Sequence, residues 1–326
     1  MKKEIVLVGA GNIGSRHLQA ITQLPFDVSV NVVEPNRDAQ KIANARLNEI
    51  SFDKTKHHIN WYKSLDKIPS NSDLVVVATN SKGRVNLINQ LLELGHSRFF
   101  IEKMVCQSET EYENLLSKFR QFNSKGWVNT NRRYFQSYQK IKDLFQDSKL
   151  IHLSVYLGDS GLGTASIHYL DLFSWFIDNY DIKLSGKYLL NKIFPNKRGS
   201  DYKEFAGTLI GSGQNGSILT ITTSFNPSNP HTSVVEIYGD TRHFFINEAK
   251  EQLDIIHGES NDKDLKFEFQ HTSSTTTMAI QDIIENDYCL LPDLDQSYYA
   301  HKELFRVFNE HIYNLSKKEV KLCPIT

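Results

Sequence analysis

The stretch that decides the fold is residues 2–17, K-K-E-I-V-L-V-G-A-G-N-I-G-S-R-H. Four apolar residues, Ile5 to Val8, run into Gly9-Ala10-Gly11-Asn12-Ile13-Gly14. Helical spacing then continues through Leu18, Ile21 and Leu24 until Pro25 ends it. A strand that meets G-x-G-x-x-G and opens a helix is the fingerprint of a dinucleotide-binding turn. Gly9 permits the tight turn, Gly11 lets the backbone approach a pyrophosphate, and Gly14 lets the helix pack close to the strand; Asn12 and Ile13 complete the binding turn. Glu34 ends a second strand, V-S-V-N-V-V-E, twenty residues beyond Gly14. A carboxylate there accepts the ribose hydroxyls and repels a 2′-phosphate, which favours NAD. Arg37 nearby is a guanidinium able to hold that phosphate, so NADP is not excluded.

Outward from this turn, strand and helix signals alternate. S-D-L-V-V-V-A-T (72–79) is a continuous β-branched run, the pattern of a strand buried on both faces of a parallel sheet. Val85, Ile88, Leu91 and Leu92 give a helix closed by Gly95. R-F-F-I-E-K (98–103) is a further strand, and Ser108 with Glu111 forms a capping box before Leu115, Leu116 and Phe119. The alternation predicts an α/β chain opening on a doubly wound parallel sheet. The pattern changes near Lys125-Gly126, giving domains 1–125 and 126–326. In the second, G-W-V-N-T-N is read as a strand, a helix covers Tyr138 to Phe145, and S-I-H-Y-L-D-L-F-S-W-F-I is a helix following a glycine-rich loop. Alternating runs then dominate from about 186 to 270, including L-K-F-E-F-Q-H (265–271), and a helix closes the chain. The second domain is thus α+β, with a large, mostly antiparallel open sheet.

Bulk composition narrows the function. Lys plus Arg total 37 against 38 Asp plus Glu, so there is no basic excess for nucleic acid or an anionic membrane surface. The apolar runs are strand-sized, too short to span a bilayer, and the start is too short for a signal-peptide core. Three widely spaced cysteines without a CxxC fit a reducing cytoplasm rather than a disulfide framework. The histidines show no ligand spacing, and His57-His58 read as a solvated loop pair, so no metal site is expected.

Four stretches carry a family resemblance: D-L-V-V-V-A-T-N-S-K-G-R-V-N-L-I-N-Q-L-L-E-L-G (73–95), F-F-I-E-K-M-V-C-Q-S (99–108), W-V-N-T-N-R-R-Y-F-Q-S-Y-Q-K-I-K-D-L-F (127–145) and G-L-G-T-A-S-I-H-Y-L-D-L-F-S-W-F (161–176). In order and distance they resemble the glucose–fructose oxidoreductase/inositol dehydrogenase family (Gfo/Idh/MocA). The resemblance implies a Rossmann domain followed by an α/β domain whose open sheet forms the oligomer interface, hence a homodimer or homotetramer. It implies a nicotinamide cofactor and a sugar or polyol substrate. By the same resemblance Glu102 and Lys103 fall on the family's Glu-Lys-Pro motif, and His168 on the histidine of its Asp-x-x-x-His pattern. Thr79 and Asn80 fall on the loop passing the nicotinamide ribose, and Asn131 and Arg132 on the strand facing cofactor and substrate. The departures are Met104 for the proline after Lys103, Asn80 for the proline after Thr79, Arg84 for a loop histidine, and Thr164 for the aspartate four residues before His168.

Oxidising a carbinol moves a hydride to the nicotinamide and a proton to a base within hydrogen-bond reach. Lys103, at a strand end and near a cationic nicotinamide, sits where desolvation and like charge favour the neutral amine. His168 is placed to share that proton or orient the hydroxyl, and Asp171, one turn on, to orient a neighbour. Lys103 and His168 are therefore the catalytic candidates, with Asn131, Arg132, Thr164, His168 and Asp171 as substrate contacts. Tyr169, Phe173, Trp175 and Phe176 read as core. The expected activity is hydride transfer between NAD and a hydroxyl or keto carbon of a sugar, amino sugar, sugar nucleotide or cyclitol. The alternatives are a non-catalytic NAD(H) sensor, motivated by Thr164 and Met104, and an enzyme that retains NAD for epimerisation or glycoside cleavage.

Overall fold

The computed structural model describes residues 2–226 and 228–326, which form two compact units. The first takes the chain up to Cys106 with Thr110–Tyr134 and Gln270–Asp295; the second takes Gln107–Glu109, Phe135–Phe269 and Gln296–Thr326.

The first unit runs β1 (Lys3–Val8), α1 (Gly14–Ile21), β2 (Val28–Val33), α2 (Arg37–Leu47), β3 (His57–Tyr62), β4 (Leu74–Val77), α3 (Arg84–Glu93), β5 (Arg98–Glu102), α4 (Glu109–Gln121) and β6 (Lys125–Asn129). The six strands are parallel in the order β3-β2-β1-β4-β5-β6. The order reverses between β1 and β4, the switch point where open α/β sheets bind ligands at the carboxyl ends of their strands. β2 and β4 are buried along their whole length, as a sheet covered on both faces requires. Asn36 caps α2 by accepting from the N–H groups of Asp38 and Ala39. Gly95, at φ +88°, ends the turn after α3.

Two sequence readings change here. Residues 125–129 are the sixth strand of this sheet, with Glu102 opposite Asn129, so the first unit runs past residue 125 to Tyr134. A single strand reads alike in either sheet, and only its pairing distinguishes them. His57 is buried at the start of β3, its ring nitrogens 3.1 Å from Asp53 O and 3.2 Å from Leu24 O, while His58 is exposed. The pair is therefore not a solvated loop.

In the second unit come α5 (Gln136–Leu144), β7 (His152–Leu157), α6 (Leu162–Phe176), β8 (Lys183–Leu189), β9 (Phe194–Asn196), β10 (Gly199–Glu204), β11 (Gly207–Ser212), β12 (Ile218–Thr223), β13 (Ser233–Tyr238), β14 (His243–Asn247) and β15 (Gln252–His257). Seven strands form a sheet in the order β15-β14-β13-β7-β12-β11-β8, antiparallel except for the β7–β12 pair; β9 and β10 form a small hairpin. α6 lies against β12 and β10 and buries Tyr169, Phe173 and Phe176 as core, with Trp175 half-buried. The Tyr138 and Tyr169 hydroxyls both donate to the buried Glu248 carboxylate.

The alternation in 265–271 is not a strand. Phe267 buries its ring against Phe135 and Tyr138, and the N–H groups of Glu268 and Phe269 donate to Ser137 Oγ and Glu251 Oε1, so side chains satisfy this backbone. The last strand is β15 instead. The chain then returns to the first unit as α7 (Thr272–Asn286), before α8 (Leu294–Ser316). α7 packs on α1 through Ala279, Ile280 and Ile283, and its threonine-rich start hides it from a propensity reading. Among the described residues, no helix is long and apolar enough to cross a membrane.

Candidate active site

The glycine turn of the first unit is shaped by close approach. Gly9 has φ +89°, a conformation L side chains rarely adopt, and a Cβ on Gly14 would stand 2.0 Å from Gly9 O. A Cβ on Gly11 would meet nothing within 4 Å, so this side of the turn is open. Two side chains brace the turn. Arg46, from α2, donates to Asn12 O and Ser15 Oγ, both at 2.7 Å, and to Asn12 Oδ1 at 3.1 Å. Glu34 accepts the N–H of Ala10 at 2.8 Å and of Asn36 at 2.9 Å. Thr79, which follows β4, has a buried hydroxyl with no hydrogen-bond partner among the described residues, and its N lies 3.1 Å from where a Gly9 Cβ would be. Arg37 and Asn80 are exposed. An open glycine cradle, a fixed carboxylate after β2 and an orphaned hydroxyl beside the turn together suit a dinucleotide.

The end of β5 is the other half of this unit's chemistry. Glu102 is buried, with His17 Nε2 2.8 Å and Asn129 Nδ2 2.5 Å from Oε1. The other nitrogen of His17 lies 3.0 Å from Thr276 Oγ1 on α7, which fixes the ring. Burial pushes the Glu102 carboxyl up. The hydrogen bond and charge of His17, the Asn129 amide and the charge of Lys103 outweigh it and hold the carboxyl below its ordinary range. Glu102 thus anchors the strand end from inside. Lys103 follows, itself buried, and the Lys103–Met104 peptide bond is cis.

Arg84 ties these pieces together. Its guanidinium is buried and donates to the carbonyls of Thr79, Glu102 and Met104, on either side of Lys103 and beside the glycine turn. Three divergent carbonyls match its planar fork of donors, which a histidine could not span. Asn131, in the turn after β6, donates to Thr275 Oγ1 at 3.2 Å, and Arg132 is half-buried beside it. Sequence reasoning singled out Arg84 as a departure but gave it no role, and missed His17 and Arg46. His17 sits on α1 four residues after Ile13, a spacing that gives no hint of a partner on β5.

Thr164, His168 and Asp171 belong to the second unit, on α6. The helix begins at Leu162, so His168 lies within its second turn rather than at its start, half-buried, and Asp171 is buried. Thr164 donates its hydroxyl to Glu204 Oε1 and its N–H to Glu204 Oε2 at 3.2 Å. Among the described residues no group of three or more His, Cys, Asp or Glu is placed to hold a metal ion.

The fold and this site define a dinucleotide-binding α/β protein of the oxidoreductase class. Residues 3–130 match the model of an oxidoreductase family with an NAD-binding Rossmann fold, Gfo/Idh/MocA. Solved structures share the fold over the whole length. The WlbA dehydrogenase of Bordetella pertussis, in complex with NADH and UDP-GlcNAcA, superposes with a TM-score of 0.72 at 14% identity, covering 100% of this chain and 99% of that one. UDP-N-acetylglucosamine 3-dehydrogenase GnnA of Acidithiobacillus ferrooxidans gives 0.69 at 14% identity, covering 94% and 96%. An oxidoreductase of Agrobacterium radiobacter, in complex with NAD+, L-tartaric acid and magnesium, gives 0.68 at 11% identity, covering 98% of each. No functionally curated protein matches the chain in sequence.

Proposed function

We propose that this chain is an NAD-dependent dehydrogenase or reductase acting on a CH–OH carbon of a sugar, with sugar nucleotides the first class to test. The observation that carries the reading is Lys103: a buried amine at the carboxyl end of a central strand, its flanking carbonyls gripped by Arg84 and its neighbour Glu102 locked by His17 and Asn129. So much fixed structure around one lysine is the preorganisation a proton-transfer group needs. UDP-GlcNAcA in the WlbA structure and the named substrate of GnnA support a sugar nucleotide.

Bound NAD supplies the hydride acceptor and, as NADH, the donor. The chain's own residues do the rest. The Gly9–Gly14 turn and Thr79 hold the dinucleotide, with Asn80 at the end of that loop. Glu34 accepts the ribose hydroxyls. Lys103 takes the proton of the substrate hydroxyl during oxidation and returns it during reduction. His168 and Asp171 orient the substrate, and Asn131, Arg132 and Thr164 are further contacts. We extend the reading to a homo-oligomer: Ile218 and Tyr238 flank His152 in one row of the seven-stranded sheet, and Tyr156 is exposed on the same face. A reducing cytoplasm goes with the buried Cys106, Cys289 and Cys323.

The test is absorbance at 340 nm with NAD and a panel of sugar nucleotides, amino sugars and cyclitols, on wild type and Lys103→Met. The variant should lose about 10²–10⁴-fold in kcat while NADH binds within threefold of wild type. Intact NADH binding without turnover of any panel member refutes the reading and leaves a dinucleotide sensor or an enzyme that retains its NAD. Light scattering that shows only monomer refutes the oligomer.

A further inference from the structure

Glu204, the last residue of β10, is an acid buried to 3% exposure at the wall of a cavity of about 150 Å³. Thr164, Asn196 and Phe225 line the same cavity, and the exposed Lys197 and Arg198 stand at its rim. Besides the two bonds from Thr164, Asn196 Nδ2 donates to Glu204 Oε1 at 2.8 Å and lies 3.3 Å from Thr164 Oγ1. The loop is built around this carboxylate. A Cβ on Gly161 would stand 2.1 Å from Glu204 Oε2 and one on Gly163 3.1 Å from it, so both positions leave room for the acid. The turn of α6 that carries threonine in place of an acid is thus supplied with a carboxylate from β10. His168 stands one turn further along the same side of the helix.

We propose that this cavity binds a hydroxylated sugar ring bearing an anionic substituent, with Glu204 accepting a ring hydroxyl and Lys197 and Arg198 receiving the anion. The inference rests on the sugar reading above and assigns its binding residues. Four features carry it. A buried carboxylate that accepts from Thr164 and Asn196 is a fixed acceptor, and a sugar hydroxyl is a donor of the kind it takes. Phe225 offers an apolar face, braced edge-on by Phe194 at 5.3 Å, of the kind on which the C–H side of a sugar ring packs. The volume is below the roughly 300–1,000 Å³ of pockets for drug-sized ligands, so it suits one ring and not a whole dinucleotide. Asp159, which also lines the cavity, lies 3.1 Å from the His231 ring, so Lys197 and Arg198 are the groups at the rim that meet a negatively charged substituent.

Glu204 also accepts from the first turn of α6, so the test must separate ligand binding from helix capping. Glu204→Gln keeps an oxygen acceptor and the shape while removing the charge. A second variant, Lys197→Ala with Arg198→Ala, touches only exposed positions. Each full-length protein is titrated calorimetrically with UDP-N-acetylglucosamine, UDP-GlcNAcA and myo-inositol, and fluorimetrically with NADH. A sugar nucleotide should bind wild type, at least tenfold more weakly to Glu204→Gln and at least fivefold more weakly to the rim variant. Affinity for myo-inositol should be insensitive to the rim change, and NADH affinity should stay within twofold throughout. Unchanged sugar affinity in both variants, with turnover retained, overturns this assignment and leaves the dehydrogenase standing. If wild type binds NADH but neither binds nor turns over any sugar, the parent reading fails and this one with it. Should Glu204→Gln not fold, the rim variant decides alone: unchanged affinity for the nucleotides overturns the proposal.

Discussion

Replacing Glu34 by glutamine should weaken NADH binding about 30-fold and remove most of the discrimination against NADPH. An ionised carboxylate offers about four acceptor positions. Two are taken by the N–H groups of Ala10 and Asn36, which hold the group still at the end of β2. The remaining two are those a ribose diol uses. Hydrogen bonds to a charged acceptor are worth about 1.5–3 kcal/mol against about 0.5–1.5 for neutral ones, so neutralising the acceptor costs about 1 kcal/mol per hydroxyl. Two hydroxyls make about 2 kcal/mol, roughly 30-fold in Kd. A 2′-phosphate no longer meets a negative charge, and Arg37 is exposed at the start of α2, three residues on. The ratio of NADPH to NADH dissociation constants should therefore fall by at least 30-fold. Fluorescence titration of both nucleotides at fixed ionic strength measures it. An NADH constant within a factor of three of wild type, or an unaltered ratio, would refute the assignment of Glu34 to the ribose. Glutamine is the informative substitution, because alanine would also strip the buried Ala10 N–H of its acceptor and confuse binding with folding.

Arg84→Ala leaves three carbonyls without their charged donor and should cost about 3–5 kcal/mol in urea unfolding. Arg84→Lys should restore part of that stability but lower kcat more than it raises the NADH dissociation constant, because one ammonium cannot span both sides of Lys103; wild-type kcat and stability in the lysine variant would sink this role. His96 accepts from Ser72 N at 3.2 Å and lies 2.8 Å from Ser72 Oγ through the same nitrogen, and burial pulls its pKa from 6.5 to about 4. The unfolded chain then takes up the proton first, so stability is full above about pH 6.5 and falls towards pH 4, by about 2 kcal/mol at pH 5. Unfolding at pH 7 and 5 measures this, and a His96→Asn variant should lose that part of the slope. For Glu102 the folded carboxyl lies below its unfolded value of 4.5, so its contribution is present above that pH and lost as pH falls through the lower folded value. The melting-temperature gap between wild type and Glu102→Gln should accordingly narrow below about pH 4.5, and a gap that widens would contradict the sign.

What the sequence made legible was whatever obeys a local period. The glycine turn, the buried run at 74–77 and the helix closed by Gly95 follow from hydrophobic pattern and backbone sterics, which act within a few residues. Pairing does not. Nothing within residues 125–129 says that they join β5, and the alternation of 265–271 mimics a strand whose backbone partners turn out to be side chains. The candidate site divides the same way. Gly9, Gly11, Gly14 and Glu34 are singled out by sequence because their spacing is set by one strand–turn–helix. His17, Arg46 and Arg84 act through the fold: His17 reaches Glu102 and Arg46 reaches Asn12 from elements distant in sequence, and Arg84 joins the carbonyl of Thr79 to those of Glu102 and Met104.

Thr164 is the sharpest case, because counting residues back from His168 makes it look like a loss. A site needs a charge at a place, and the backbone that delivers it is free to change. Here β10 brings Glu204 onto the same helical turn, and the two glycines at 161 and 163 are the matching vacancies in side-chain space. Those glycines are visible in the sequence, but their meaning is not, since the acid they accommodate lies about forty residues away. Substituting alanine at Gly161 alone should therefore disturb Glu204, with a Cβ 2.1 Å from its oxygen, while Ala at Gly11 should leave the fold intact and weaken only NADH binding. If Gly161→Ala bound sugar nucleotide as tightly as wild type, the carboxylate would not be where the chemistry needs it, and Thr164 would mark a true loss of function.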